Sequence, residues 1–490
     1  MNTFIRSKSK VRTVALVSAC AALLCGFLLR LPGHAELRPE AGAGLRSTTQ
    51  SDQSELNLTV YNSDLALVRD VRDVALPAGT FQLKFMDIAA SVNPATVHFR
   101  SLTDPAALSV LEQNYEYDLL DPEKLLSKYV GRDLMVNWGP TQVKATLLAD
   151  NGGPIWKIGN QIVTGFMPSP MSFPELPKNL YDRPTLLWTL ENRGPAKQKI
   201  ETSYLATKLS WSADYVLTVN REETAADLGG WVTLVNNSGS SFENAKLQLV
   251  AGELNRVHPE MAYRELDAVS GAAGAPAPPP FQQENFNEYH LYTLTRPTSV
   301  LNNESKQVSL LDANSVPVTK TYEVNGQAYY YRQSLRSGAP LKDPVQVYYK
   351  FQNAEKSNLG MPLPAGTVRI YQADSLGNVQ FAGEDNITHT PKDEEVTLHV
   401  GDAFDVVAER KQTDFKAVGN NLYEMEYEIT LRNHKDAPIT VQVNEPIGGD
   451  WAILNSTFSY NKTSAFAAQF AVPVAKDGTA VLRYRVRVRW

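Results

Sequence analysis

The chain has 490 residues and a formal net charge of −6; no cluster of lysine and arginine stands out, which sets aside a nucleic-acid partner, since phosphate backbones are met by a local surplus of positive charge. Both cysteines, Cys20 and Cys25, lie close to the N-terminus, so the remainder can hold no disulfide, no cysteine-ligated metal and no thiol nucleophile. A chain of this length predicts roughly three or four domains, each large enough to bury its own core.

The N-terminus reads as an export signal. Arg6, Lys8, Lys10 and Arg12 precede an apolar run from Thr13 to Leu29 that Arg30 stops, the order of a basic and then an apolar signal region. Gly33-His34-Ala35 places small residues where a signal peptidase reads them, so cleavage is expected between Ala35 and Glu36. Two other fates are open to this segment. Val17-Ser18-Ala19-Cys20 has the form of a lipobox that would put a lipid anchor on Cys20, and the apolar run is nearly long enough to stay as an anchor. All three place the bulk of the chain outside the cytoplasm, and no later stretch is apolar enough to form a transmembrane helix.

Residues 1–35 are therefore read as the signal peptide, and 36–55, small and polar, as a flexible leader. A β-domain over 56–118 follows, in which Leu56, Leu58 and Val60 alternate with polar neighbours and turns fall at Asn62-Ser63-Asp64 and Pro77-Ala78-Gly79. Asp121-Pro122-Glu123 supplies the cap, first-turn proline and early acid of a short helix. Brief strands with tight turns then predict a small SH3-like barrel within 119–178. A central β-sandwich is expected over 185–394, interrupted by a disordered loop rich in proline and alanine at 270–287. The last unit, 395–490, reads as an immunoglobulin-like sandwich: Tyr423, Met425, Tyr427, Ile429 and Leu431 alternate with Glu424, Glu426, Glu428, Thr430 and Arg432. WVTLVNNSG from Trp231 and AKLQLV from Ala245 echo YEITLRNHKDAPITVQV from Tyr427. The fold class is mainly β, in tandem sandwiches with one short helix.

Several long segments carry a family resemblance: YNSDLALVRDVRDVALPAGT from Tyr61, LEQNYEYDLLDPEKLLSKYVG from Leu111, WSADYVLTVNREETAADLGGWVTLVNNSG from Trp211, NEYHLYTLTRPTSV from Asn287 and the closing RYRVRVRW. The chain resembles the exported bacterial proteins grouped as domain of unknown function 4139, a family distantly related to mucoidy-inhibitor proteins. The resemblance implies a cell-envelope location and β-architecture. It carries over no catalytic residues.

Candidate chemistry is sparse. Glu288, His290 and Tyr292 share one face of an expected strand and form the most site-like cluster, read as a binding patch. A metal site is not expected, because the other histidines show no paired spacing. Glu112, Glu116 and Asp118 could supply a carboxylate pair for glycoside hydrolysis, but acids before a helix serve as caps and solvated charges. Trp211, Trp231 and Trp451 could stack on sugars, and are read as core plugs, Trp231 above all. The arginines that alternate through 483–489 are read as the solvent face of a final strand, with Glu424, Glu426 or Glu428 opposite. The expectation is a non-enzymatic binding or scaffolding module without a cofactor, whose partner is an envelope protein or a glycan. The alternatives are a hydrolase acting on envelope polysaccharide or peptide, and an outer-membrane β-barrel.

Overall fold

Side chains that alternate between apolar and polar build strands with one covered and one open face, and the strand Leu209–Val219 follows this along its whole length. Trp211, Ala213, Tyr215, Leu217 and Val219 are buried, while Ser212, Asp214, Val216 and Thr218 lie on the other side. The computed structural model describes residues 44–116, 120–177, 180–181, 183–252, 281–286, 289–335 and 340–490. The signal segment with Cys20, Ala35 and Glu36, most of the stretch 270–287, and Glu288 lie outside the described residues.

The described chain is mainly β, with one α-helix. Strands from 45–116 and 185–206 form a four-stranded sheet and much of an eight-stranded one. Leu45–Thr48, within the expected leader, pairs in parallel with Gly79–Met86, and Phe281–Phe286 pairs with Tyr289–Leu294. A five-stranded sheet packs over the other end of the eight-stranded one, so residues from Leu56 to Leu398 share one continuous core. A second core runs from Tyr322 to Val488, between a six-stranded and a five-stranded sheet. Three strands that precede residue 395, Thr319–Asn325, Leu341–Asp343 and Gln346–Gln352, complete those two C-terminal sheets. The hairpin of Gly366–Ala373 and Val379–Ile387 leaves them to join the central five-stranded sheet.

One device recurs, and three of its instances among the described residues turn through a short arch. A strand crosses to the facing sheet through a short arch and pairs with a second arch running the opposite way. The strands Thr185–Asn192 and Lys197–Ala206 lock onto Gly79–Met86 and Leu65–Ala75. Ala225–Asn236 and Phe242–Ala251 lock onto Glu304–Pro317 and Thr298–Val300. Leu422–Asn433 and Ile439–Pro446 lock onto Thr479–Arg489 and Ala467–Val474. Where two arches meet, backbone carbonyls are turned inward, away from any ladder partner, and each must find a donor. A buried asparagine ends the outgoing strand each time, in Leu190-Glu191-Asn192, Leu234-Val235-Asn236 and Leu431-Arg432-Asn433. Its Oδ1 accepts from the backbone two residues on, at Gly194, Ser238 and Lys435. Its Nδ2 donates across the junction to Pro77, to Val300 and Leu301, and to Ala475. The echo between 231 and 427 is thus a shared corner, and the Asn192 corner is a third copy.

The helix is Pro122–Ser127, and Asp121 caps it by accepting from the Lys124 amide at 2.8 Å. The small sheet after it is an open meander and not a barrel: Asp133–Trp138, Thr141–Ala149, Ile155–Ile158 and Gln161–Thr164 pair in sequence order, and the first is bridged at its free edge by Ser172 to Met135, not by the last strand. Its last two strands have four residues each, too short to wrap round and meet the first. On the C-terminal sheet, Arg483, Arg485 and Arg487 stand opposite Glu428, Glu426 and Glu424 and pair with them at 2.7 Å each. Trp211 and Trp451 are core plugs, their indole N–H groups bonded to the carbonyls of Val250 and Ala465. Trp231 is not: 43% of it is exposed.

Candidate functional site: the open face of the central sandwich

The cluster expected around His290 is only partly assembled. His290 is half-buried in Tyr289–Leu294, opposite Ala251, with Nδ1 2.9 Å from Gln283 Nε2. Burial lowers its pKa, which favours the neutral ring. Tyr292 shares that face of the strand, but this face is covered. Its ring packs edge-on to Trp211, and its hydroxyl donates to the Pro362 carbonyl at 2.9 Å. Glu112 lies exposed on the edge strand Leu108–Glu116, where it accepts from the Thr189 hydroxyl at 3.2 Å.

The open face of the five-stranded central sheet collects a different set. Trp231 stands between Thr233 and Gly229 on its own strand, with Asp214 and Ser309 directly opposite on the two neighbouring strands. Gly229 leaves a gap beside the indole: a Cβ built there would meet nothing within 4 Å. Gly230, on the inner face, has no such room, because a Cβ would press on Leu311 and the Tyr215 ring. The pair therefore places a bare strip of backbone outside and a tight core contact inside.

A chain of polar contacts crosses all five strands beside the tryptophan. Gln307 donates to the Thr233 hydroxyl at 3.3 Å, and that hydroxyl donates to Asp214 at 2.9 Å. Arg369 donates to the other Asp214 oxygen at 3.1 Å and faces Glu384 at 3.6 Å. Thr367 donates to Asn386 alongside, at 2.9 Å. Further along, Tyr371 lies opposite Thr218 and packs edge-on to the exposed Phe381 at 5.6 Å. From strand spacing and rise, Trp231 and Tyr371 are about 16 Å apart. The result is a flat surface with aromatic rings towards its two ends and planar hydrogen-bonding groups between them.

Sequence reading placed Trp231 in the core, although its parity said otherwise. Asp227, Gly229, Trp231 and Thr233 occupy one face of that strand, and Leu228, Val232 and Leu234 the other. The signal was present and was outweighed by the ring's size. Arg369, Tyr371 and Phe381 carried no comparable signal, because the strand of the first two reaches the site through a parallel pairing with Leu209–Val219 and brings the strand of Phe381 as its hairpin partner.

A concavity of about 780 Å³ lies where the central and C-terminal sandwiches meet and is lined by Glu223, Lys320, Tyr322, Asp405, His434 and Lys435 among others. Glu223 is tied down, accepting from Lys320 at 2.7 Å, Tyr349 at 3.1 Å and Gln372 at 3.2 Å. Burial works against its ionisation, but Lys320 and these hydrogen bonds outweigh that and hold its carboxyl below the ordinary range. Such a group is a fixed anion and not a proton donor.

Residues 200–490 match the family model described as "Domain of unknown function (DUF4139)". No curated protein matches the chain.

Proposed function

The chain belongs to the DUF4139 family, and from that premise we propose that it is an exported cell-envelope protein that works by binding, not catalysis, with the open face of the central sheet as its contact surface. One observation carries the reading: Trp231 spends a large apolar ring on solvent, beside a gap and a row of hydrogen-bonding groups. An exposed aromatic with polar neighbours is the pattern of a contact surface. Asp214 is paired with Arg369 beside it, and Glu223 with Lys320 in the concavity, which suits a rigid platform better than proton transfer. Export is supported by the basic and apolar N-terminal segment.

Co-sedimentation with isolated envelope fragments tests the binding reading. Wild-type protein should pellet with them, and Trp231→Ala should remain largely in the supernatant while keeping its circular dichroism spectrum. Equal pelleting of both would refute the assignment of the surface. Turnover of wall glycans or peptides by the purified protein would refute the non-enzymatic reading. Recovery of the intact chain from the cytosol of its host would refute export.

A further inference from the structure

We propose that the open face of the central sheet binds an uncharged oligosaccharide that lies across the strands, stacked on Trp231 and running towards Tyr371 and Phe381. The proposal rests on the binding reading above and names its ligand. A sugar ring presents an apolar C–H face and a rim of hydroxyls, so it needs an open aromatic ring and donors and acceptors at the ring's edge. Trp231 provides the first, and its indole stacks on no other aromatic ring among the described residues. Asp214, Thr233 and Arg369 provide the second, already fixed by bonds to one another at 2.9 and 3.1 Å. Pre-set polar groups lose little freedom on binding. Gly229 keeps the floor beside the indole clear, and the aromatic pair of Tyr371 and Phe381 offers a further apolar surface beyond it.

Charge selects among ligands. Asp214, Asp227, Asp312 and Glu384 lie on this face with Arg369 as their cationic companion. An acid surplus repels polyuronates and nucleic acids and admits neutral sugars. A protein partner fits less well, because the centres of protein interfaces are depleted of charged side chains and the centre of this face is the Asp214–Arg369 pair.

Titration of the full exported chain with chitotetraose, cellotetraose and maltotetraose, followed by tryptophan fluorescence and calorimetry, tests this. At least one should bind and perturb the fluorescence. Trp231→Ala should weaken that binding about tenfold or more, as expected for a central aromatic anchor, and Trp231→Phe should restore part of it. Gly229→Leu should bind as poorly as Trp231→Ala while unfolding at the wild-type temperature, because the space it fills is empty. Polygalacturonate should not bind. Failure of all three neutral oligosaccharides, or binding unaffected by both Trp231→Ala and Gly229→Leu, overturns the proposal. If envelope pelleting still depends on Trp231 in that case, the binding reading survives and only the sugar assignment falls; if pelleting is indifferent too, both fall.

Discussion

Asn236 illustrates how much one side chain can hold. It is fully buried, and its amide donates to the carbonyls of Ser240, Val300 and Leu301 while its oxygen accepts from the Ser238 amide and hydroxyl. Each buried carbonyl left without a donor costs about 1–3 kcal/mol, so Asn236→Ala should lower the stability measured by urea unfolding by at least that much. A loss no larger than the roughly 0.5 kcal/mol of an ordinary surface change would show that the corners are not holding the arches together. Glu201 gives a prediction with a pH signature. It is buried between Arg69 at 2.6 Å and Arg100 at 2.7 Å, joining the strands Leu65–Ala75, Lys197–Ala206 and His98–Ser101. Burial disfavours its charge, but the bonds from Arg100 and Arg69 prevail and depress its pKa below the ordinary 4.5. A depressed carboxyl stabilises the fold above its ordinary pKa, and that gain is lost as pH falls through the lower folded value. Glu201→Gln should therefore be less stable than wild type by about 1 kcal/mol near neutrality, and the gap should close below pH 4.5. A gap that widens on acidification would contradict this.

At the scale of elements, the informative piece is the 366–387 hairpin. Its first strand lies parallel to Leu209–Val219 and brings Arg369 and Tyr371 to the candidate face. Gly366 opens that strand against the Ala213 backbone, and a Cβ there would run into the Ala213 carbonyl. Gly366→Ala should destabilise by roughly 1–3 kcal/mol, as overpacking does, and limited proteolysis should cut the hairpin first. Gly229→Ala, on the same sheet but facing open space, should match the wild type in both assays. Equal sensitivity of the two variants would mean that the hairpin is not held by this close approach. The ribbon 422–433 was legible because one face is apolar and the other charged over its full length. The two strands of the 366–387 hairpin differ: Gly366–Ala373 alternates, with Val368 and Ile370 buried, while Val379–Ile387, with Val379 and Phe381 exposed, has no clean inside and outside to announce it.

At the scale of the molecule, the two large cores are tied by exchange of strands. The C-terminal sheets take Thr319–Asn325, Leu341–Asp343 and Gln346–Gln352, and the intervening hairpin goes to the central sheet. Arg410 shows the dependence: it is fully buried, and its charge is met by Asp343 at 2.7 Å and Glu445 at 2.7 Å. Removing one partner of a buried ion leaves charge without compensation, which costs about 3–5 kcal/mol. The fragment 395–490 would retain Arg410 and Glu445 but lose Asp343 and three strands. It should show no cooperative thermal transition, and a sharp one would refute the argument. Residue order along the chain was enough for the alternation, and with it the β-class, the capped helix and the solvent-facing side of Arg483, Arg485 and Arg487, because a side chain's face depends on its near neighbours. Which strands pair, how three buried asparagines close three matching corners, and the exposure of Trp231 to solvent came from the folded arrangement. Those facts depend on groups brought together across tens to hundreds of residues, where backbone donors and acceptors must be satisfied and where a ring is buried only if another layer covers its side of the sheet.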